Sequence, residues 1–522
     1  MTIEEQATKL SYPEIVFLLR EKQSLEAKLA TTEQQLAWFK KQIFGQKSEK
    51  REYVVDPRQL SLGELPSARE APEQKQEVKA YERGKAKKQP LEGSPEDSGL
   101  RFGPDVPVKE ILLPCPEIDN LDPSEYTELS REHSFKLAQK PAAYIVLKFI
   151  RRTAKINDKS QSRIISTPAP DAVIEKSFAD VSFLAGMLID KILYHLPLYR
   201  QHQRLENFGI MLSRATLTNL FHRSVDLLEP IYKAQLSSIL ASKVICMDET
   251  PVKAARAHSG KMKTTYYWPI YGDQDEVCFE WRESREHRHV KEILHGYSGV
   301  LLADGYQAYD KYSAETLGCT RAQCWNHARR EFVDALPYEP ELSQKALDFI
   351  GELYKYEELI KKNRLNDTQK QLYRVENSKP VVETLFNWLT SKMAELALLP
   401  TNPFTKAANY VLNRQEPLKV FLLFPEVQID TNHQERQIRS IAVGRKNWNF
   451  CWTEIGAKYV GIVQSLIRTC ILHKVNPYQY LVDVLQRIDV TSNCDIALLT
   501  PRLWKINFTE ERFISWVDIH SD

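Results

Sequence analysis

Two short apolar runs of the sequence stop abruptly on acidic residues. The run VICM ends on Asp248 and Glu249, and the run GVLLA ends on Asp304. Short runs that are apolar throughout and end at turn residues are typical of strands buried in the interior of a sheet. The pattern therefore predicts two buried strands whose ends place carboxylates side by side at one rim of a sheet.

Two carboxylates at such a rim repel each other unless a cation lies between them. Carboxylate oxygens are hard ligands, and a site with few other donors favours Mg²⁺ or Mn²⁺. Aspartate is also a common turn residue, and on these two strands alone a turn or capping role is the favoured interpretation. The metal hypothesis therefore needs a third acid.

A candidate third acid lies in the segment TNHQERQIRSIAVGRKNW. Asn432 is predicted to cap a helix that ends at Gly444 and carries Glu435 in its first turn. A glutamate one turn into a helix can reach the rim of a sheet, so Glu435 completes a set of three acids with Asp248 and Asp304. The same segment supplies cations for a phosphate backbone, namely Arg436, Arg439, Arg445 and Lys446.

Size, charge and cysteine usage limit the class of protein. A chain of 522 residues exceeds what one hydrophobic core usually organises. Its 71 basic and 69 acidic residues nearly balance, so any nucleic-acid surface must be a local cluster. Eight cysteines without a Cys-x-x-Cys pair fit a reducing cytosol. The N-terminus lacks an apolar signal core and the apolar stretch at 178–199 contains charges, so we expect a soluble, cytoplasmic, nucleoid-associated bacterial protein with no membrane span.

Changes of pattern along the chain predict its organisation. Residues 13–44 show the heptad spacing of a coiled coil, with an amphipathic helix docked on the same protein as the alternative. The predicted segments are a coiled-coil helix with a basic tail (1–51), a linker (52–105), a small β-containing module (106–170), a helical, helix-turn-helix-like DNA-binding region (171–240), the first part of the α/β core (241–333), a helical insertion (334–430), the last part of the core (431–470) and a C-terminal tail region (471–522).

Two predicted helices surround a glycine in the helical region. The first helix breaks at Gly209, and Ser213 is placed to cap the second helix, which begins with Arg214. This pattern predicts a helix-turn-helix, with an ordinary helical hairpin as an equally good interpretation. A second candidate for phosphate contact is a basic strand and loop that contains Lys148, Arg151, Arg152, Lys155, Lys159 and Arg163. The alternative interpretation is a solvated hairpin.

An ordered series of motifs resembles the DDE transposases of the insertion sequence 66 family. The series covers most of the chain and runs through FGQKSEK, PLYRQHQRLENFGIMLSRATL, MDETPVK, LLADGYQAY, CWNHARREF, ERQIRSIAVGRKNW and SLIRTCILHKVNPYQYLVDVL. The resemblance implies an α/β RNase H-like catalytic core with a large helical insertion, preceded by a helical DNA-binding region and an N-terminal coiled coil. It also implies that Asp248, Asp304 and Glu435 are the acidic triad and bind Mg²⁺ or Mn²⁺, whereas Glu249 is not expected to bind metal.

The small module departs from the family pattern. The family carries two Cys-x-x-Cys pairs there, but residues 106–170 contain only Cys115, so no structural zinc is expected. Elsewhere, Cys319, Cys324 and His327 offer three local ligands, and packing or DNA contact is favoured over metal binding for them.

Two tryptophans near the predicted site have two possible roles. Trp325 and Trp448 are candidates for stacking on unpaired bases, and burial in the core is the favoured alternative.

The function implied by the resemblance is metal-dependent cleavage at transposon ends followed by strand transfer of the 3′-hydroxyl into target DNA. The alternatives are a catalytically inactive transposon-derived DNA-binding protein and an RNase H-like nuclease without transposition. The expected partners are terminal inverted repeats, target DNA, a second or further copies of the chain and possible small accessory proteins of the same element. The predicted DNA contacts are Arg151, Arg152, Arg200, Arg214, Arg329, Arg330, Arg436, Arg439, Arg445 and Lys446.

Overall fold

A computed structural model of the chain describes Lys22 and residues 100–519, apart from 105, 124, 141–142, 158–161, 259–260 and 397. The predicted coiled coil at 13–44, apart from Lys22, lies outside the described residues, as does the predicted linker up to residue 99.

The first described unit is a small β module built around one long hairpin. Its elements are β1 (Arg101–Phe102), β2 (Val108–Leu112), helix α1 (Pro116–Asp119), β3 (Tyr126–Lys140), β4 (Ala143–Asn157) and β5 (Ser162–Ser166). Strand β4 pairs antiparallel with β3 and β5 and parallel with β2. Val517 from the C-terminal end of the chain packs into the apolar cluster of this module, beside Leu147 and Phe149.

Three helices follow the module. They are α2 (Val181–Ile192), α3 (Leu198–Asn207) and α4 (Arg214–Leu240), with β6 (Ile210–Met211) between the last two. The predicted break at Gly209 is confirmed, because its φ of +77° is a conformation that favours glycine. The predicted cap is also confirmed, since Ser213 Oγ accepts a hydrogen bond from the Thr216 amide at 3.0 Å. One face of α4 is buried and the face with Arg214 is exposed.

The core of the chain is a mixed six-stranded sheet. Its strands are β7 (Val244–Met247), β8 (Thr250–His258), β9 (Lys261–Tyr271), β10 (Val277–Arg282), β11 (Val300–Ala303) and β12 (Thr320–Gln323). They lie in the order β10-β9-β7-β11-β12, with β8 paired to β9. Strands β7, β11 and β12 are parallel, and β9 runs against β7. The predicted burial of β7 and β11 is confirmed, because every residue of both strands is buried.

Helices connect the strands of the sheet and form the insertion. The connecting helices are α5 (His287–Leu294), α6 (Gln307–Glu315) and α7 (Trp325–Ala335). The insertion contains α8 (Pro340–Lys362), α9 (Asp367–Tyr373), a π-helical turn (Arg374–Ser378), α10 (Lys379–Glu395), α11 (Pro403–Leu412) and α12 (Gln415–Leu423). Buried Arg374 joins these helices, since it donates to both carboxylate oxygens of Glu357 at 2.7 Å and to the Phe421 carbonyl.

The last helices close the sheet on one side. They are α13 (Asn432–Trp448), α14 (Glu454–Leu472), α15 (Pro477–Arg487), α16 (Pro501–Asn507) and α17 (Trp516–Ile519), with 3₁₀ turns at Ile488–Val490 and Ile496–Leu499. Among the described helices, α14 is long and apolar enough to cross a membrane, and 67% of its apolar window is buried inside the protein. Its packing against β10 is that of a core helix.

Two predicted boundaries of the helix with Glu435 are wrong. Asn432 is the first helical residue and not the cap, which is Thr431. Gly444 does not end the helix, which continues to Trp448 because Asn449 adopts a positive φ of 60° only after that point. A side chain at Gly444 would lie 2.8 Å from Trp448 Nε1 and 3.0 Å from His195 Nδ1, so close packing explains this glycine.

The contact between α14 and β10 gives a stability test. A methyl group at Gly461 would lie 2.5 Å from the Phe279 carbonyl oxygen, so Gly461→Ala must push the helix off the sheet. We expect the free energy of unfolding to fall by about 1–3 kcal/mol, the usual cost of overpacking. In Gly351→Ala, the matched control within α8, the new methyl meets nothing within 4 Å. This control should gain up to about 1 kcal/mol from helix propensity.

Chemical denaturation of the purified variants measures both effects. Equal or higher stability of Gly461→Ala relative to Gly351→Ala would contradict the packing described for α14.

Candidate active site

The parallel pairing of β7 and β11 brings two of the predicted acids together. Val244 pairs with Val300, and Cys246 pairs with Leu302. The same register carried two residues further sets Asp248 opposite Asp304, just beyond the carboxyl ends of both strands. Oxygen atoms of Asp248, Glu249 and Asp304 lie within 4.8 Å of one another.

Each aspartate also stabilises its own turn. Asp248 Oδ1 accepts the Glu249 amide at 2.7 Å, and Asp304 Oδ1 accepts the Tyr306 amide at 2.9 Å. The turn role considered from the sequence therefore exists beside the clustering of the acids. Since each turn uses only Oδ1, the second oxygen of each carboxylate has capacity for another ligand.

Glu249 lies in the acidic cluster but has its own partners. Its carboxylate accepts hydrogen bonds from Arg285 Nε at 2.7 Å and from the Tyr309 hydroxyl at 2.6 Å. The Arg285 guanidinium also stacks over the Tyr306 ring, 4.4 Å from its centroid. Among the described residues of the cluster, the Glu249 carboxylate thus accepts hydrogen bonds from an arginine side chain, whereas the Asp248 and Asp304 carboxylates accept only backbone amides.

Glu435 lies in the first turn of α13, outside the set of oxygens within 4.8 Å. Its Oε1 is 4.0 Å from His327 Nε2, and its Oε2 is 3.9 Å from Arg330 Nη2. It is close enough to the cluster that its negative charge raises the pKa of Asp248. The structure thus gathers Asp248, Asp304 and Glu435 at one rim of the sheet, with Glu435 the most distant.

The electrostatics of this rim favour a cation. Burial, followed by the charges of Glu249, Asp304 and Glu435, raises the pKa of Asp248 to about 8. Burial also raises the pKa of Glu249, even beside Arg285. A buried carboxyl among like charges is costly to ionise, and a divalent cation removes that cost. The donor set consists of hard oxygens, so the residues fit Mg²⁺ or Mn²⁺.

Arg321 holds the end of β11 in place and was missed in the sequence. Its buried guanidinium donates to the Asp304 carbonyl and, at 3.1 Å, to Asp310 Oδ1. The signal available in the sequence was an arginine inside the short run TRAQ. Arg285 and Tyr309, the partners of Glu249, were also missed, because they lie far from it along the chain.

Three family models match the chain. A model described as "Transposase IS66 family" matches residues 176–459, and one described as "IS66 C-terminal element" matches residues 465–501. A third, described as "Transposase C of IS166 homeodomain", matches residues 32–96. The first match alone spans more than half of the chain. The chain belongs to the IS66 family of transposases.

Curated relatives of this transposase come from Sinorhizobium fredii (strain NBRC 101917 / NGR234). The uncharacterized protein y4hP is 26% identical over 499 residues, which cover 90% of this chain and 87% of the relative. The uncharacterized protein y4jD is 30% identical over 363 residues, which cover 66% of this chain and 70% of the relative. The transposase domain supports a function in DNA transposition and implies binding to the ends of a DNA element.

The predicted DNA contacts of the transposase fall into two groups. Arg151 and Arg152 form ion pairs with Glu132 and Asp119 on the small β module, so their charges are balanced locally. Arg445 is partly buried and donates to the Thr250 hydroxyl at 3.3 Å. The remaining candidates are exposed, namely Arg200, Arg214, Arg329, Arg330, Arg436, Arg439 and Lys446.

The other candidate ligands and stacking residues are mostly packed inside the transposase. Cys324 Sγ accepts hydrogen bonds from the Thr431 amide at 3.4 Å and hydroxyl at 3.3 Å. Trp325 is fully buried and stacks against Phe386. Trp448 is only partly buried. The predicted burial of Trp325 in the core is therefore confirmed.

The raised pKa of Asp248 makes metal-free stability depend on pH. The folded protein keeps this proton up to about pH 8, whereas an unfolded aspartate ionises near about pH 3.9. The folded state thus binds more protons between these values, and the stabilising contribution is lost as pH rises through them. With a chelator present, we expect the contribution of Asp248 to the free energy of unfolding to fall from about pH 6 to about pH 8 by up to about 1.4 kcal/mol per pH unit.

Asp248→Asn removes the titrating group, so its free energy of unfolding should fall less over the same range. The control is Asp334→Asn, at an exposed position of α7, which should keep the wild-type slope. Denaturation curves at several pH values measure these slopes. An unchanged slope in Asp248→Asn would show that Asp248 is already ionised in the folded protein.

Proposed function

We propose that this protein is a DNA transposase that cuts the ends of its element and transfers the resulting 3′-hydroxyl into target DNA, with divalent metal ions. One observation carries the proposal. In a chain of the IS66 transposase family, the register of β7 and β11 sets Asp248 opposite Asp304 at a rim that Glu435 also approaches. Burial and the neighbouring acids raise the pKa of Asp248 to about 8, and a divalent cation at the rim would remove the cost of ionising it.

We also propose that the mixed sheet is an RNase H-like catalytic core. The support is its strand order, in which β7 is central, β9 and β10 extend antiparallel on one side, and β11 and β12 extend parallel on the other. The carboxyl ends of parallel strands meet at one edge, where an open α/β sheet usually binds its ligand. Helix α13 brings Glu435 to the same edge from outside the sheet.

In this proposal Asp248, Asp304 and Glu435 would hold Mg²⁺ or Mn²⁺. Such ions activate a water or hydroxyl nucleophile and stabilise the leaving 3′ oxygen during phosphodiester cleavage. Arg285 and Tyr309 keep Glu249 in place, so that the carboxylates of Asp248 and Asp304 face the DNA with little competition from it. Arg321 fixes the backbone of Asp304 and thereby the direction of its side chain.

The phosphate backbone of DNA would lie along the basic residues near Glu435. Arg436 and Arg439 are exposed, and neither pairs with a carboxylate among the described residues. Arg330 reaches Glu435 from α7 and offers a further cation beside the acids. Because unpaired arginines attract phosphates most strongly at low salt, this surface should bind DNA with a marked dependence on ionic strength.

Two parts of the proposal concern assembly and the recognition of ends. The N-terminal heptads at 13–44 would join two copies of the chain, so that both ends of the element are held together. The exposed side of α4 near Arg214 would contact the terminal repeats. The Ser213 cap supports this by giving the helix a well-defined start at the turn.

Substitution of the acids tests the proposed chemistry. Asp248→Asn, Asp304→Asn and Glu435→Gln each remove one negative charge with little change of shape, so metal-dependent cleavage and joining should fall at least about 100-fold. Binding to the terminal repeats should stay near the wild-type level, because phosphates contact the arginines. The assay combines purified protein, Mg²⁺ or Mn²⁺, labelled terminal repeats and a target plasmid.

Asp334→Asn is again the matched control and should cut and join normally. Full activity in any one of the three acid variants would remove that residue from the triad. Cut ends without joined products would favour a nuclease, and a shifted band without either product in wild type would favour a DNA-binding protein without catalysis.

A further inference from the structure

A cavity of 680 Å³ lies beyond the C-terminal end of α13, where this end meets helices α2, α3 and α4. Its walls combine aromatic rings with positive charges, including Tyr199, Phe450, Trp452, Lys191 and Arg214. The acidic cluster does not use these residues, and the predicted DNA contacts include only Arg214 among them.

The aromatic wall of the cavity is open to solvent and held in place by the backbone. Trp452 is 62% exposed, and its ring lies nearly perpendicular to that of Phe450, at 89° and with the two ring centroids 5.0 Å apart. The neighbouring Cys451 exchanges backbone hydrogen bonds with β8, accepting from the Ala255 amide at 3.1 Å and donating to the Lys253 carbonyl at 2.9 Å. An exposed tryptophan on a fixed backbone offers a ready stacking surface.

Positive charges surround this surface. The Arg256 guanidinium lies 5.0 Å from the centroid of the Trp452 ring, and Arg214 lies 4.6 Å from that of Tyr199. Lys191 lies over the Phe221 ring at 5.1 Å and pairs with no carboxylate of the described residues. The described residues that line the cavity include no aspartate or glutamate, and an anionic ligand with a flat aromatic part complements them.

The position of the cavity connects it to the acidic cluster. Glu435 and Trp448 lie near opposite ends of α13, about 20 Å apart at 1.5 Å per residue. Between them, Arg436, Arg439 and Arg468 line a smaller cavity of 250 Å³, and Ile192 borders both cavities. A stacked DNA strand covers this distance in about six nucleotides at 3.4 Å each.

We propose that the 680 Å³ cavity binds an unpaired nucleobase, with its phosphate, from the DNA strand held at the acidic cluster. The base stacks on Trp452, and Lys191 and Arg214 face its phosphate. A base within a duplex is covered on both faces by its neighbours, so only an unpaired base presents a free face to the ring. The identity of the DNA rests on the proposed function, whereas the preference for single strands rests on the cavity itself.

Binding of short single-stranded and duplex DNA to the full chain tests this site. The probes are a fluorescently labelled oligonucleotide and its duplex, without added metal and at one salt concentration. Trp452→Ala should weaken single-strand binding by about 5- to 150-fold, which is the loss of one stacked base. Duplex binding should change less than about twofold, since it depends on phosphate contacts.

Three further variants make the result specific. Trp452→Phe keeps an aromatic face and should retain most of the single-strand affinity. Tyr199→Ala removes an aromatic ring from another wall and should also weaken single-strand binding. Leu423→Ala, which removes a side chain of equal 62% exposure on α12, is the control and should bind as wild type.

Equal single-strand affinities of wild type, Trp452→Ala and Tyr199→Ala would overturn the proposal, as would an equal loss for single-stranded and duplex probes. The assay is independent of catalysis. The two proposals can therefore fail separately. If Trp452→Ala weakens single-strand binding but the acid substitutions do not affect cleavage, the cavity assignment stands and the proposed chemistry is rejected. The opposite result would reject the cavity assignment alone.

Discussion

The parallel register of β7 and β11 is the constraint on which the proposed site depends. Both strands are buried along their whole length, so a shift of one residue would reverse which side chains face each layer. In the observed register, Asp248 and Asp304 leave the sheet side by side. The packing of the two buried strands therefore holds the like-charged side chains of Asp248 and Asp304 close together. Burial at this position, together with the charges of Glu249, Asp304 and Glu435, raises the pKa of Asp248 to about 8.

Helix α13 links the acids to the rest of the proposed DNA surface. It carries Glu435 in its first turn, Arg436 and Arg439 in the next turns, and Trp448 at its end. Close packing of Gly444 against Trp448 and His195 lets the helix continue without a break. Because one continuous helix carries all of these groups, the spacing between the acidic cluster and the aromatic cavity is fixed by the fold.

The sequence predicted those features that depend on local pattern. The buried strands β7 and β11 were visible as short apolar runs, and the Ser213 cap as a serine at the start of a helical period. Strand β12 was missed because Arg321 and Gln323 interrupt its apolar character. The end of α13 was predicted wrongly at Gly444, because a glycine required for tertiary packing cannot be distinguished in the sequence from one that ends a helix. The partners of Glu249 could not be predicted, since Arg285 and Tyr309 reach it only through the folding of the sheet.

A crystal structure of the full chain with Mn²⁺, in which anomalous scattering locates the ions, would show which carboxylates bind metal. We expect manganese at the rim of the sheet, with oxygen ligands from Asp248, Asp304 and Glu435 and none from Glu249. Manganese held by Asp248, Glu249 and Asp304 while Glu435 remains beside His327 and Arg330, or no manganese at this rim, would contradict this expectation.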